Sequence, residues 1–123
     1  MNPAYTDDVF LRLDLPEQMD QLVERSFAQP VIIFKHSPAC GTSAYAFDEL
    51  ETYRQDPSAH EVYLVDVLRN RPLSQALAVR FRVHHESPQL LLVVDGKVAW
   101  HTSHYGVSAA ALERAVTRLT TAV

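Results

Sequence analysis

Cysteine is almost absent from this sequence, which has a single one, Cys40, among its 123 residues. One cysteine excludes an internal disulfide, and no spacing of Cys40 and the six histidines matches a zinc-ligand pattern. Long apolar runs are also missing, because the longest, 90–94, has the length of a strand rather than the roughly 18 residues of a membrane span. Repeats, low-complexity tracts and Gly/Ser linkers do not occur. The chain is long enough to bury a core without disulfides or metals, and we expect one compact domain.

Strong charge of either sign is lacking as well. Lysine and arginine number 11 against 15 acidic side chains, a formal net charge of −4. This mild balance predicts neither a nucleic-acid nor a membrane partner. The first eight residues show neither the basic nor the apolar region of a secretory signal, so we expect a cytoplasmic protein. Because the chain has no second cysteine, Cys40 is a free thiol, a mixed disulfide or an intermolecular bridge.

Apolar periodicity alternates along the chain between helical and strand spacing. Helical spacing runs from Leu15 to Phe27, from Ala44 to Tyr53, from Leu73 to Phe81 and from Leu112 to Leu119. Buried strands are predicted at 31–34, 62–67, 89–94 and 98–102, the last two joined by a hairpin turn at Asp95-Gly96-Lys97. Asn70 and Ser108 are the predicted caps of the third and fourth helices.

The predicted order of elements, α-β-α-β-α-β-β-α, limits the topology. Right-handed crossovers make the first two strands parallel, and the short turn makes the last two antiparallel. The fold class is therefore α/β, a thioredoxin-like fold with a central mixed four-stranded sheet and helices on both faces. We place this domain at residues 15–123. Residues 1–14 form an N-terminal extension, in which Val9 to Leu13 alternates weakly and is a candidate edge strand.

Cys40 is the candidate nucleophile because it follows a buried strand and begins a helix. Unpaired N–H groups at a helix N-terminus stabilise an anion, so the thiol should have a depressed pKa. Pro38 shapes the approach to the sulfur, and Gly41 lets a partner come close to it. Ser43 stands three residues on, where a two-cysteine oxidoreductase carries its second thiol. The alternative, a buried inert cysteine, fits this polar loop poorly.

Proline and histidine supply the other candidates. Ser87-Pro88 precedes a strand, and the pattern alone allows an ordinary strand-starting proline or a cis-proline that faces the cysteine. His36 and His85 are candidate electrostatic partners of the thiolate, while the other histidines are expected to be structural or exposed. Arg69 and Arg71 either bind a carboxylated thiol compound or are exposed loop charges. No metal site is expected.

Several motifs together resemble the monothiol bacilliredoxins, the YtxJ-like family. They occur in order from about Leu15 to the C-terminus: 34–37, Cys40, Ser43, 70–74, 85–89, 95–98, 100–101 and 103–104. The resemblance implies a thioredoxin-fold thiol-disulfide oxidoreductase that removes bacillithiol from S-thiolated client proteins. It implies no tightly bound cofactor, with bacillithiol itself as co-substrate. By the same analogy Cys40 attacks, Ser87-Pro88 is the cis-proline element, and the thiol-binding residues are Lys35, His36, Gly41, Thr42, Ser43, Ser87 and Pro88.

Two other functions remain open, one of them because of a departure from this family. The family usually has proline after the cysteine, whereas Cys40-Gly41-Thr42-Ser43 is similar to the Cys-Gly-Phe-Ser signature of monothiol glutaredoxins. One alternative is therefore a cluster carrier, in which two copies of the chain bridge a [2Fe–2S] cluster through Cys40 and small-thiol ligands. The other is a non-catalytic redox-sensing domain whose Cys40 is capped under oxidative stress.

Overall fold

A computed structural model describes residues 9–121, with only the backbone of Thr121, and it contains five strands and four helices in that range. The elements are β1 Leu11–Arg12, α1 Glu17–Arg25, β2 Val31–His36, α2 Gly41–Arg54, β3 Val62–Asp66, α3 Arg71–Phe81, β4 Gln89–Val94, β5 Lys97–Ser103, a 3-10 turn His104–Gly106 and α4 Ala109–Thr121. No helix within the described residues is both long and apolar enough to cross a membrane.

The strands form one mixed sheet in the order β1-β3-β2-β4-β5. β2 and β3 are parallel, and β4 is antiparallel to both β2 and β5, which confirms the predicted strand directions. The predicted number of four strands is wrong. Leu11 and Arg12 add a fifth strand by pairing in parallel with Tyr63 and Leu64 at the edge of β3, which confirms the candidate edge strand in Val9 to Leu13.

Successive side chains of β2 point to opposite faces of the sheet, and each face packs against its own hydrophobic core. Ile32 and Phe34 face α2 and α4, whereas Val31 and Ile33 face α1 and α3. Helices therefore cover both faces, as predicted. Both faces of β2 are apolar and buried, which explains why its first four residues read as one continuous hydrophobic run.

The first core residues lie earlier in the chain than expected. Phe10 and Leu13 are both buried, one against each core. Both belong to the stretch 1–14 that the sequence analysis set apart as an extension, and so part of this stretch is built into the domain. Residues 1–8 of the extension lie outside the described residues.

The predicted hairpin turn and the predicted cap of α4 are confirmed, whereas the predicted cap of α3 is not. Asp95 and Gly96 both have positive φ, 52° and 78°, as a two-residue hairpin turn of the predicted kind requires. Ser108 caps α4, because its Oγ accepts a hydrogen bond from the N–H of Ala111 (3.1 Å). Asn70 occupies the N-cap of α3 but its side chain makes no capping bond. Its Nδ2 instead donates to Asp14 (3.3 Å), tying α3 to the segment after β1.

Candidate active site

Two chain segments meet at one end of the sheet. β2 runs antiparallel to β4, with Lys35 opposite Gln89. The loop that leaves the C-terminal end of β2 and carries Cys40 is therefore adjacent to the segment that enters β4 through Pro88. This arrangement brings together the predicted nucleophile and the predicted proline element.

Cys40 is the N-cap residue of α2. Its backbone is extended (φ −109°, ψ 129°), its N–H donates to the Ser37 carbonyl (3.1 Å), and its own carbonyl accepts from the N–H of Ala44 (3.1 Å). The side chain makes no capping bond, and the residue is partly exposed. The sulfur therefore lies at the open end of the helix, where the first N–H groups have no helical partner.

Polar groups in the first turn of α2 favour the thiolate form of Cys40. The backbone N–H of Ser43 and then that of Thr42 are the largest causes that lower the pKa of Cys40 below its ordinary value. Partial desolvation opposes them, and the Thr42 and Ser43 hydroxyls add smaller effects that also lower the pKa. A thiolate is the nucleophilic form of cysteine, so this arrangement favours the reactive form of Cys40.

Gly41 and Ser43 have contrasting positions beside the thiol. A Cβ atom at Gly41 would meet nothing within 4 Å, so the surface next to Cys40 is open to a large partner. Ser43 is fully buried, and its Oγ accepts a hydrogen bond from the N–H of Ser37 (3.2 Å). The side chain at this position thus fixes the loop to α2, and it offers no second thiol.

The peptide bond between Ser87 and Pro88 is cis, which confirms the cis alternative. Pro88 is buried, and its carbonyl accepts from the N–H of His104 at 3.0 Å. Gln89 closes the preceding loop, because its Nε2 donates to the His84 carbonyl (2.9 Å). Ser87 and Pro88 are thus held in one arrangement at the edge where Cys40 lies.

His36 is buried beneath the start of α2. Its ring packs against Phe34 and Phe47, with centroids 5.5 and 5.0 Å away. Burial lowers the pKa of His36, against smaller opposing effects of Asp66 and the Ser43 backbone. Burial thus favours the neutral imidazole, which makes His36 a poor electrostatic partner of the thiolate.

Lys35 requires a larger correction. The family resemblance places Lys35 among the thiol-binding residues. Its side chain is instead fully buried on the α3 side of the sheet. Its Nζ donates to the Ser74 carbonyl (3.0 Å) and lies 3.2 Å from Nδ1 of His85, which in turn is 3.1 Å from the Ser74 hydroxyl. A buried ammonium group is desolvated, and this lowers the pKa of Lys35 to about 8.

The cluster of Lys35, Ser74 and His85 was missed by sequence reasoning, although alternation along β2 could have indicated it. Lys35 continues the series Val31, Ile33 and so shares their face. Burial, followed by the positive charge of Lys35, lowers the pKa of His85. His85 is thus a neutral partner of Lys35 rather than a cationic partner of the thiolate.

The two histidines considered as partners of Cys40 lie on opposite faces of the sheet, since His36 packs against α2 and His85 contacts α3. A shared metal site with Cys40 is therefore not formed. No group of three His, Cys, Asp or Glu side chains suited to a metal ion occurs in the part of the chain that the structure describes.

Comparison with known proteins identifies the family. The sequence profile described as monothiol bacilliredoxin BrxC matches residues 11–112. The chain belongs to the monothiol bacilliredoxin family. The match includes the whole edge strand β1 and every residue of the candidate site. In this bacilliredoxin the thiol that gives the family its name can only be Cys40.

Solved structures agree with the fold. A protein with a thioredoxin fold, described only provisionally as an oxidoreductase, is 30% identical, with a TM-score of 0.79 over 89% of this chain and 95% of that one. A mutant thioredoxin from Halobacterium salinarum is 22% identical (TM-score 0.72, 97% of each chain), and thioredoxin from Trypanosoma brucei brucei is 15% identical (TM-score 0.73, 99% and 98%). The bacilliredoxin therefore has a thioredoxin-like fold and belongs to a group of thiol redox proteins.

Proposed function

We propose that this protein removes bacillithiol from the mixed disulfides of S-thiolated client proteins, with Cys40 as its only thiol. The observation that carries the proposal is the environment of the sulfur: a partly exposed thiol whose pKa is lowered by the first turn of α2. The family supports a thiol redox role, and the buried serine at position 43 supports a one-thiol course. The cytoplasm, where small thiols are kept reduced, is the proposed location.

The first step is an exchange at the mixed disulfide of the client. The Cys40 thiolate attacks the bacillithiol sulfur, a Cys40–bacillithiol disulfide forms, and the bond between the bacillithiol sulfur and the client sulfur breaks. The client leaves as a thiolate and takes a proton from solvent. The open surface at Gly41 allows a folded client to approach, and the rate depends on the thiolate fraction of Cys40.

The second step regenerates the enzyme. Ser43 cannot displace bacillithiol from Cys40, because a hydroxyl does not take part in thiol exchange. A second bacillithiol thiolate from solution attacks the bound bacillithiol sulfur, which releases bacillithiol disulfide and the Cys40 thiolate. One client disulfide and one bacillithiol thiol are consumed, and one client thiol and one bacillithiol disulfide are formed.

Turnover of a defined protein substrate tests this proposal. A client carrying a bacillithiol mixed disulfide, and the same client carrying glutathione, would be incubated with wild type and with Cys40→Ala. We expect catalysed bacillithiol release and a transient Cys40 adduct in mass spectra with wild type, and neither with Cys40→Ala. Release by Cys40→Ala at the wild-type rate would contradict the mechanism, and faster release of glutathione would contradict the substrate.

A cluster carrier is the second candidate, favoured by the open space at Gly41, which would let a second copy approach Cys40. Anaerobic reconstitution with iron, sulfide and a small thiol tests it. Visible absorbance that is lost in Cys40→Ala, together with absent turnover on both clients, would favour this function over the first.

A further inference from the structure

The side chain of Lys35 joins three separate parts of the chain. It extends from the end of β2, donates to a carbonyl of α3 at Ser74, and reaches Nδ1 of His85 in the loop before β4. Lys35 is fully buried, although lysine is among the residues least often buried without a charged partner. Such a cation is costly to maintain, which suggests a role other than stability.

We propose that Lys35 is a positioning residue: its buried ammonium group holds His85, and through it the segment 85–88, at the disulfide-binding edge beside Cys40. This inference rests on the proposed function for its catalytic consequence, but its structural part can be tested independently.

The segment 85–88 is held at both ends by the same short stretch of β2. At one end, Lys35 contacts His85 through its side chain. At the other end, the backbone of Lys35 pairs with Gln89, directly after the cis bond to Pro88. Because β2 also leads into the Cys40 loop, Lys35 couples the position of the proline segment to that of the nucleophile.

The protonated form of Lys35 is the form suited to holding His85. The ammonium group has three N–H donors and no acceptor, so His85 must accept at Nδ1 and carry its own proton on Nε2. Burial is the largest cause that lowers the pKa of His85; Lys35, Arg71 of α3 and His84 also disfavour its protonated form, and only Glu86 opposes them. Once Lys35 loses its proton, this charge-assisted hydrogen bond becomes an ordinary weak one.

Lys35→Met tests the proposal without leaving a buried charge. Methionine fills similar space, the Ser74 carbonyl remains within α3, and His85 Nδ1 keeps the Ser74 hydroxyl at 3.1 Å. We expect retained folding, an unchanged pKa of Cys40, faster amide exchange across 84–89, and about a tenfold loss in kcat/KM, mainly through KM. Lys97→Met is the matched control, since it replaces the other lysine of the chain, which is exposed at the start of β5, and should behave as wild type.

A conservative rescue separates positioning from general packing. His85→Ala should lose activity as Lys35→Met does, and the double variant should lose no more than either single variant. His85→Asn, whose side-chain amide places an acceptor near the position of Nδ1, should recover most of the loss. Additive effects in the double variant, or equal activity of His85→Asn and His85→Ala, would overturn the proposal.

The pH profile is the second readout. Single-turnover release of the client, divided by the measured thiolate fraction of Cys40, should fall severalfold in wild type as pH rises through about 8, where Lys35 loses its proton. In Lys35→Met this ratio should be low and independent of pH. Identical profiles in both proteins would overturn the proposal.

The failure of this inference is distinguishable from that of the proposed function. If wild type releases no bacillithiol, the proposed function fails, and amide exchange over 84–89 alone decides the inference. Unchanged exchange in Lys35→Met would then refute it, whereas faster exchange would support it. If wild type turns over and Lys35→Met matches it, only the inference fails.

Discussion

At the scale of single residues, the reactivity of Cys40 is local. The groups that lower its pKa belong to its own helix, and the backbone N–H groups of Ser43 and Thr42 contribute more than the two hydroxyls. Backbone donors are present whatever the side chains are, provided the helix begins at residue 41. The position of the cysteine at the helix start therefore matters more for thiolate formation than the identity of its neighbours.

Removing the hydroxyls should accordingly have a limited effect. Thr42→Val and Ser43→Ala should each raise the pKa of Cys40 while leaving it below that of an unstructured cysteine, because the N–H donors remain. Alkylation rate as a function of pH measures this. Thr52→Val, which removes a hydroxyl at the far end of α2, is the control. A pKa in either variant equal to that of the unfolded chain would contradict the dominance of the backbone donors.

Replacing Ser43 by cysteine should change how the enzyme is regenerated. Residues three apart in a helical turn have Cβ atoms about 5–6 Å apart, within the reach of a slightly adjusted disulfide. In Ser43→Cys, the new thiol should displace the small thiol of the proposed Cys40 adduct and leave an internal disulfide. Mass spectrometry of a single turnover without free bacillithiol should then show the oxidised variant, whereas wild type and Ser43→Ala should retain the adduct.

At the scale of elements, the sequence predicted the strands and helices better than their ends. The apolar run 31–34 predicted β2, because both faces of this strand are apolar there. Pairing with β3 and β4 extends the strand through Lys35 and His36. Those two residues looked like loop residues beside the thiol. They are instead buried on opposite faces, because the extended strand continues its alternation across a polar stretch.

Helix starts show the same limit. Ser108 could be assigned as a cap from its residue type, because the partner of its Oγ is local. Asn70 has an equally suitable side chain, but a distant residue, Asp14, accepts its hydrogen bond. Local chemistry predicts local bonds, whereas the competition from tertiary partners, here and in the Lys35–His85 contact, has no signal in a single sequence.

The β4–β5 hairpin provides a test at this scale. Gly96 has φ 78°, and a Cβ there would lie 3.1 Å from the Phe27 ring. Gly96→Ala should therefore lower the free energy of unfolding by about 1–3 kcal/mol in urea denaturation. Lys97→Ala, at the exposed next position, should change it by less than about 0.5 kcal/mol. Equal effects of the two variants would mean that the turn tolerates a side chain at Gly96.

At the scale of the whole molecule, the sheet separates two environments. One face holds an apolar core under α2 and α4, and the other holds Lys35 at the end of an otherwise apolar core under α1 and α3. Both faces end at the edge where Cys40 and Pro88 lie. The edge with Cys40 and Pro88 is therefore supported on one side by apolar packing and on the other by the Lys35–Ser74–His85 cluster. Because Lys35 is buried and titratable, the free energy of unfolding depends on pH.

The sign of that dependence follows from Lys35. Its pKa is about 8 in the fold against 10.5 as its ordinary value, so between these values the unfolded chain binds more protons and stability rises with pH. Burying the charged form of Lys35 therefore lowers the free energy of unfolding most below pH 8, and this cost fades above it. In a Cys40→Ser background, which removes the thiol titration, we expect the free energy of unfolding to rise by about 2 kcal/mol between pH 7 and about pH 9.5.

The same denaturation series in Cys40→Ser with Lys35→Met should lack this rise, because the group that titrates has been removed. The upper limit of about pH 9.5 keeps the comparison below the titration of Tyr53 and Tyr63, whose pKa values burial raises. Both proteins share every other titrating group, so the difference between their curves isolates Lys35. Parallel curves would mean that Lys35 keeps its ordinary pKa in the fold, and that its burial does not make stability depend on pH.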